Sequence, residues 1–184
     1  MSENIFFDVA KLRYCGNNVV IGKTVRIRYP ELVSIGDNVI IDDFTYISTA
    51  LFVESNVHIA SGCKLIGGKS ASITIGELST LAPNVILAAG SDDYIAGIAS
   101  PLVSVEYKGN IQIGVIRLGC HCIIGANSTV LPNVVINDGA AVGAQSLVKS
   151  DVPAWELFAG VPARYLKKRN REEIIRLEKE WRSS

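Results

Sequence analysis

Only a few side chains in this sequence are suited to proton transfer near neutral pH. The histidines are His58 and His121, and imidazole is the usual general base because its ordinary pKa lies near neutrality. Two adjacent carboxylates, Asp92 and Asp93, precede Tyr94 in an irregular stretch. A solvated aspartate has a pKa of about 4, which makes it a weak base for a hydroxyl. We therefore take His121 and Asp92 as candidate catalytic residues, and Asp93 and Tyr94 as candidate substrate contacts.

A six-residue repeat defines the elements that must position these side chains. Aliphatic residues recur at every sixth position, and a second small or β-branched residue, such as Val57 or Cys63, follows four residues after most of them. Alternate side chains of a strand share a face, so both positions point inward. Three such short strands make one triangular coil, and stacked coils bury the aliphatic residues against one another. The repeat therefore predicts an all-β protein, a parallel β-helix. The aliphatic positions are Ile21, Ile27, Ile35, Ile41, Ile47, Val53, Ile59, Leu65, Ile75, Leu81, Leu87, Leu118, Ile124, Val130, Ile136, Val142 and Val148.

The repeat also assigns a direction to each histidine and to the neighbouring cysteines. His58 follows an inward Val57, so it points outward from a flat face, which favours surface or intersubunit packing. His121 lies beside a corner in the first regular repeat after a long interruption, and we expect it to lie close to the residues of that interruption. Cys122 takes an inward position, so Cys120, His121 and Cys122 cannot converge on one tetrahedral zinc ion. We expect no metal site, and we interpret Cys122 as a small core residue.

Two interruptions of the repeat predict the parts of the chain outside the regular coils. Residues 88–110 are too many and too irregular for a corner, so they predict a protruding loop, and long loops are usually functional. Near the C-terminus, residues 170–182 have a helical pattern in which Asn170 is placed to cap the helix. The apolar stripe of this helix is expected to pack on the β-helix or on a neighbouring subunit. We predict a β-helix domain over residues 1–168 and a C-terminal helix within residues 169–184.

Composition argues against several functional classes. The chain is 48% hydrophobic and 20% charged, with 18 basic and 18 acidic residues, so we expect neither disorder nor nucleic-acid binding. No apolar run approaches the roughly 18 residues that a membrane-spanning helix needs. The N-terminal residues lack the pattern of a secretory signal, and the irregularly spaced cysteines do not make a disulfide framework. These features predict a cytoplasmic protein.

The segment that begins at Ile124, IGANSTVLPNVVINDGAAVGAQSLVKSDVPAWELFAGVPARYL, resembles the end of the sugar O- and N-acetyltransferases of the hexapeptide-repeat superfamily. Galactoside, maltose and bacterial surface-polysaccharide acetyltransferases share this pattern. Upstream, RYPELVSIGDNVIIDDFTYIS resembles the front of the polysaccharide-locus acetyltransferases more than the nucleotidyltransferase-fused members. The resemblance implies a left-handed β-helix, a homotrimer, a small-molecule sugar or nucleotide-sugar acceptor, and acetyl-CoA as the acyl donor.

The resemblance also implies which residues meet the cofactor. In such enzymes the pantetheine lies along the β-helix between adjacent subunits and bonds to backbone groups that small corner residues leave accessible. Ala126 and Ala144 match those positions. Lys149, Arg164 and Lys167 lie where the family places groups near the adenine and the 3′-phosphate.

The loop departs from the family pattern, which leaves alternative functions open. Galactoside-type relatives carry their catalytic histidine in the corresponding loop, whereas this chain has Ser91-Asp92-Asp93 there. In an acetyltransferase of a nucleotide-linked or surface-polysaccharide sugar, an Asp92 base would favour N-acetylation over O-acetylation, because a neutral amine attacks without prior deprotonation. A γ-type carbonic anhydrase has the same fold but needs three histidines. The remaining alternative is a non-catalytic β-helix scaffold that lost the loop histidine.

Overall fold

A computed structural model describes residues 7–184 of the chain. These residues form a left-handed parallel β-helix of triangular cross-section, which confirms the expected fold. The strands are β1 (Tyr14–Cys15), β2 (Val20–Ile21), β3 (Arg26–Ile27), β4 (Val33–Ile35), β5 (Ile40–Ile41), β6 (Tyr46–Val53), β7 (His58–Ile59), β8 (Lys64–Ile75), β9 (Thr80–Leu81), β10 (Ile86–Ala88), β11 (Gly90–Ser91), β12 (Gln112–Ile113), β13 (Val115–Leu118), β14 (Ile123–Ile124), β15 (Thr129–Val130), β16 (Val135–Ile136), β17 (Ala141–Val142), β18 (Leu147–Val148), β19 (Glu156–Gly160) and β20 (Ala163–Lys168). Short 3-10 helices lie at Val9–Lys11, Pro30–Leu32 and Val105–Tyr107, and the α-helix α1 spans Arg171–Arg182.

Parallel pairing between successive coils defines three faces. Face A contains β2, β5, β7, β9, β14, β17 and β19. Face B contains β3, β10, β15, β18 and the first parts of β6 and β8. Face C contains β1, β4, β13, β16 and the last parts of β6 and β8. We name the edges AB, BC and CA after the faces that they join, and the long strands β6 and β8 pass around edge BC.

The core is the column of inward side chains that the repeat predicts. Every predicted aliphatic position from Ile21 to Val148 is buried, and so are the inward small residues Val57, Cys63 and Cys122. Each fully buried aliphatic side chain contributes about 1.5–3 kcal/mol by leaving water. Because these aliphatic positions recur in every coil, the hydrophobic stabilisation extends along the whole axis of the β-helix.

The edges turn through residues in the left-handed backbone region. Asparagine takes this conformation at several corners, and at edge CA the side chains of Asn18, Asn38 and Asn56 form a hydrogen-bonded ladder from coil to coil. Asparagine tolerates positive φ better than most residues because its short amide bonds locally. Phe44 and His121 also have positive φ, at 63° and 57°, although bulky side chains disfavour that region.

The predicted loop leaves the β-helix at edge BC. The chain departs from face B after β10 and rejoins the solenoid at β13 on face C. At the base of the loop, β11 and β12 pair antiparallel, with Gly90 opposite Ile113. The loop therefore continues to Gly114, beyond the predicted boundary at residue 110, because the returning chain first pairs with the departing one.

The C-terminal tail begins with an antiparallel hairpin of β19 and β20 at the end of face A. The predicted helix follows as α1, and the Asn170 side chain accepts a hydrogen bond from the N–H of Glu173 at 3.2 Å. The helix lies over edge CA, where Ile174 and Trp181 border a groove with His121. The apolar stripe thus borders the β-helix, with Leu177 and Trp181 each 50% exposed. No helix within residues 7–184 is long and apolar enough to cross a membrane.

Candidate active site

The two adjacent carboxylates of the loop have different surroundings. Asp93 Oδ1 accepts hydrogen bonds from the N–H groups of Ile95 and Ala96 at 2.8 and 3.2 Å. Its Oδ2 accepts one from the N–H of Asn110 at 2.8 Å. These bonds hold the pKa of Asp93 below its ordinary value, with the bond from Asn110 the largest cause. Asp93 therefore ties the two ends of the loop together, whereas the Asp92 side chain is exposed.

Asp92 lines two clefts at the base of the loop. The first has a volume of about 410 Å³ and lies between the loop and the part of β8 that rounds edge BC. Its lining includes Ile66, Gly67, Gly68, Lys69, Ser91, Asp92, Lys108 and Gln112. The second cleft, also about 410 Å³, includes Asp92, Asp93, Tyr94 and Asn110. Concave sites of this size with a few polar groups commonly bind small molecules, so the structure brings Asp92, Asp93 and Tyr94 together at one candidate site.

Two glycines hold the floor of the first cleft. A Cβ atom added to Gly90 would lie 2.9 Å from the carbonyl oxygen of Gly67, and one added to Gly67 would lie 2.7 Å from the Cβ atom of Ala71. Larger residues would force the loop base away from β8. The glycines thus allow the departing strand β11 to lie directly against the preceding coil.

His121 lies at edge CA and is separated from the loop. The expectation that it would lie beside the loop within one chain is wrong, because β13 carries the chain across face C between them. His121 Nε2 lies 2.9 Å from Glu178 Oε2 on α1, and its side chain is only 13% exposed. Its ring centroid is 6.0 Å from that of Trp155, and its carbonyl oxygen accepts a hydrogen bond from Arg169 at 2.8 Å. The imidazole is held beneath the C-terminal helix.

His58 faces outward from face A, as its position in the repeat predicts. Its Nε2 lies 2.8 Å from Asp42 Oδ2, and both side chains are close to half exposed. The carboxylate fixes the orientation of the imidazole ring. Face A lies opposite edge BC, so within one chain this pair is also remote from the loop.

The predicted cofactor residues fall into two groups. Ala126 and Ala144 occupy equivalent corners of successive coils on edge AB, where the carbonyl of Ala126 accepts a hydrogen bond from the N–H of Gln145 at 2.8 Å. Both alanines are at least partly accessible. Arg164 and Lys167 are exposed on β20, beyond the last coil of face A. Lys149 is exposed just after β18, at edge BC, and so stands apart from the other four residues.

The cysteines are buried or half-buried and do not gather around His121. Cys122 points into the core, where burial raises the pKa of its thiol to about 12, and burial raises that of Cys63 to about 11. A thiol with so high a pKa remains protonated and is a poor metal ligand at neutral pH. Across residues 7–184, no three His, Cys, Asp or Glu side chains group in a way that could hold a metal ion.

The candidate site contains two residues that the sequence patterns did not single out, Lys69 and Lys108. Lys69 belongs to a short Gly-Gly-Lys-Ser insertion that shifts the phase of the repeat between Leu65 and Ile75. That insertion was the available sequence signal for Lys69, because the β-helix brings the irregular part of β8 against the loop that leaves the next coil. Lys108, inside the long loop, has no comparable signal in the sequence.

Comparison with known proteins gives matches over nearly the whole chain. Residues 116–150 match the bacterial transferase hexapeptide family (six repeats). The chain is 34% identical, over 92% of its length and 88% of the relative's, to a dTDP-4-amino-4,6-dideoxy-D-glucose acyltransferase of Escherichia coli.

Solved structures of AntD, an N-acyltransferase from Bacillus cereus, are also similar. A variant in complex with dTDP-4-amino-4,6-dideoxyglucose and coenzyme A is 36% identical, with a TM-score of 0.91 and 99% of each chain covered. AntD in complex with dTDP and 3-hydroxybutyryl-CoA has the same identity and TM-score, with 98% of this chain and 97% of that chain covered.

Proposed function

The chain belongs to the hexapeptide-repeat acyltransferases, and on this premise we propose that it transfers the acetyl group of acetyl-CoA to a nucleotide-linked amino sugar. The observation that carries the proposal is the full-length similarity to an acyltransferase and to AntD, which binds dTDP-4-amino-4,6-dideoxyglucose together with coenzyme A. The exposed Asp92 in a loop without histidine agrees with an amine acceptor. Such a sugar would serve bacterial surface-polysaccharide synthesis, and a cytoplasmic location is part of the proposal.

The proposed reaction is a direct transfer. The neutral amine nitrogen attacks the thioester carbonyl, the carbon–sulfur bond breaks, the thiolate of CoA leaves, and the amine proton is lost to a nearby base or to the departing thiolate. Asp92 is placed to accept a hydrogen bond from the amine and to orient it. His121 as the base stays a prediction, and its Nε2 contacts Glu178 Oε2 of α1 at 2.9 Å.

We propose edge AB as the cofactor groove. Stacked alanines leave room for pantetheine beside the backbone at Ala126 and Ala144, and Gly125 lies so close to Ala144 that a side chain there would collide with the next coil. Arg164 and Lys167 lie at the C-terminal end of the same coils, where they can meet the phosphates. Lys149 lies on another edge, so its contact would be made with the CoA bound to a neighbouring subunit.

A homotrimer accounts for the exposed apolar residues of the loop. Tyr94, Ile95 and Leu102 are each more than 90% exposed, and exposed apolar patches usually mark interaction surfaces. A loop from one subunit that covers edge AB of its neighbour would bring Asp92 to the thioester. Light scattering coupled to size-exclusion chromatography should give the mass of three chains, and a monomer at working concentration would contradict this assembly.

The deciding experiment measures thiol release from acetyl-CoA with a panel of amino and neutral nucleotide sugars, with mass spectrometry of the products. We expect N-acetylated product only with an amino sugar, and 3-hydroxybutyryl-CoA should be compared as a donor. Asp92→Asn should lower kcat/KM at least tenfold, and wild-type kcat/KM in His121→Asn would exclude His121 as the base. Absence of turnover and of acetyl-CoA binding at millimolar concentration would favour the scaffold alternative.

A further inference from the structure

The first cleft beside the loop is lined by two cations as well as by Asp92. Lys69 and Lys108 reach it from opposite walls, one from the coil below and one from the loop. Lys69 Nζ lies 3.7 Å from Glu31 Oε1, in an exposed pair that is weak in water. Its charge is therefore available to an anion.

The wall that carries Lys69 is a bulge. In the pairing of β6 with β8, Ser48 opposes Ile66 and Thr49 opposes Gly68, but Ala50 opposes Ser72. Among the extra residues of β8, Lys69 and Ser70 are exposed at edge BC, whereas Ala71 is buried. Gly68 has φ of 81°, and a Cβ atom added there would meet no atom within 4 Å, so its backbone is open on that side. Successive backbone N–H groups around a left-handed glycine form an anion-binding concavity.

An aromatic ring extends the same surface. Lys69 Nζ lies 5.7 Å from the ring centroid of Tyr29, and the guanidinium carbon of Arg28 lies 5.5 Å from the same centroid. The surface next to the cleft thus combines positive charge with a half-buried ring. Bound phosphates and a stacked base would use both features.

We propose that this cleft binds the diphosphate of a nucleotide-linked amino sugar, with Lys69 and Lys108 as the cationic contacts and Asp92 facing the amine. The charges match the ligand: a diphosphate is anionic, an amino group is a donor, and the cleft offers two cations and one carboxylate. Its volume of about 410 Å³ lies within the range of small-molecule sites. This inference rests on the proposed function, because it assigns the acceptor site of the same reaction.

Calorimetry with dTDP, which lacks the sugar, tests the site without catalysis. The wild-type chain should bind dTDP, and Lys69→Met and Lys108→Met should each raise the Kd about tenfold or more, since each removes a charge-assisted phosphate contact. Lys179→Met, a matched change on the exposed face of α1, should leave the Kd unchanged. Calorimetry with acetyl-CoA should give wild-type affinity for all three variants, and this also shows that they are folded.

The outcomes of these measurements distinguish failure of the proposed binding site from failure of the proposed reaction. Unchanged dTDP affinity in both cleft variants, or no dTDP binding by the wild-type chain at millimolar concentration, overturns the site. If the wild-type chain binds dTDP through these lysines but acetylates no amino sugar, the site stands and the proposed reaction fails. If acetylation occurs with the same KM for the nucleotide sugar in wild type and in both variants, the reaction stands and this cleft is not its acceptor site.

Discussion

The contact between His121 and Glu178 makes the docking of α1 testable with one substitution. Glu178 Oε2 lies 2.9 Å from His121 Nε2, and the two side chains are 20% and 13% exposed. Glu178 also accepts a hydrogen bond from Arg182 at 2.8 Å, and Arg182 pairs with Glu77 at 2.9 Å, but Arg182 is 44% exposed, so solvent screens both pairs. Glu178→Ala removes the one polar contact that joins the helix to the imidazole.

The loss should be about 1.5–3 kcal/mol, the usual contribution of a hydrogen bond to a charged group. If α1 undocks with the rest of the chain, this corresponds to a fall in Tm of about 3–12 °C for a domain of this size. If α1 undocks alone, the amides of the helix should exchange with solvent about 10- to 150-fold faster. Hydrogen exchange followed by mass spectrometry, alongside thermal unfolding, distinguishes the two.

Glu180→Ala is the matched control, because Glu180 is 61% exposed and pairs only along the helix with Arg176. Equal falls in Tm and equal amide exchange rates in Glu178→Ala and Glu180→Ala would show that the contact with His121 does not hold α1 in place. The pKa of Glu178 is held below its ordinary value, first by the hydrogen bond from Arg182 and then by that from His121. A carboxyl group with a depressed folded-state pKa stabilises the fold above its unfolded value near 4.5, and this contribution is lost as pH falls through the folded value. The acid-induced loss of helix protection should therefore be smaller in Glu178→Ala.

Three further outcomes test the register, the loop and the cofactor groove. Ile124→Ala removes a fully buried side chain and should cost about 2–5 kcal/mol of unfolding free energy. Ile123→Ala, on the outward side of β14, should cost little. Equal denaturation midpoints for the two variants would contradict the assignment of Ile124 as inward and Ile123 as outward. Asp93→Ala should speed hydrogen exchange at the three loop amides that its carboxylate binds, and Asp92→Asn should not; unchanged exchange in Asp93→Ala would show that the loop closes without this carboxylate. Ala144→Gln should raise the Kd of acetyl-CoA at least tenfold by calorimetry, and wild-type affinity would exclude edge AB as the groove.

The fold was predictable because it is periodic. Each coil repeats the same inward positions, so the aliphatic residues from Ile21 to Val148 reveal the strands without any long-range information. The helix was equally local, since the Asn170 cap and the apolar stripe lie within one short segment. The loop boundary was less predictable, because the pairing of Gly90 with Ile113 depends on how two distant segments meet.

The site was predictable only where the contacts are local. Asp92 and Asp93 were identified as loop residues, but sequence alone did not separate them, because the three backbone donors that occupy Asp93 come from both ends of the loop. The expectation that His121 lies beside the loop came from their proximity in the sequence. In the β-helix the loop leaves edge BC, whereas His121 lies at the next corner along the chain, at edge CA. Its partner Glu178 comes from the tail, and no repeat links the two positions.

The positions of the histidines and of the loop carboxylates bear on whether the acceptor group is a hydroxyl or an amine. A hydroxyl must lose its proton as it attacks, so it needs a base whose pKa lies near neutrality. Both histidines contact carboxylates, one on face A and one at edge CA, whereas the first cleft at edge BC is lined by Asp92, Lys69 and Lys108. A neutral amine attacks through its free lone pair, and its proton leaves only after the nitrogen–carbon bond has formed. In the proposed N-acylation, Asp92 would orient the amine and Lys69 and Lys108 would hold the diphosphate, and the loop and the preceding coil bring these three side chains to one cleft.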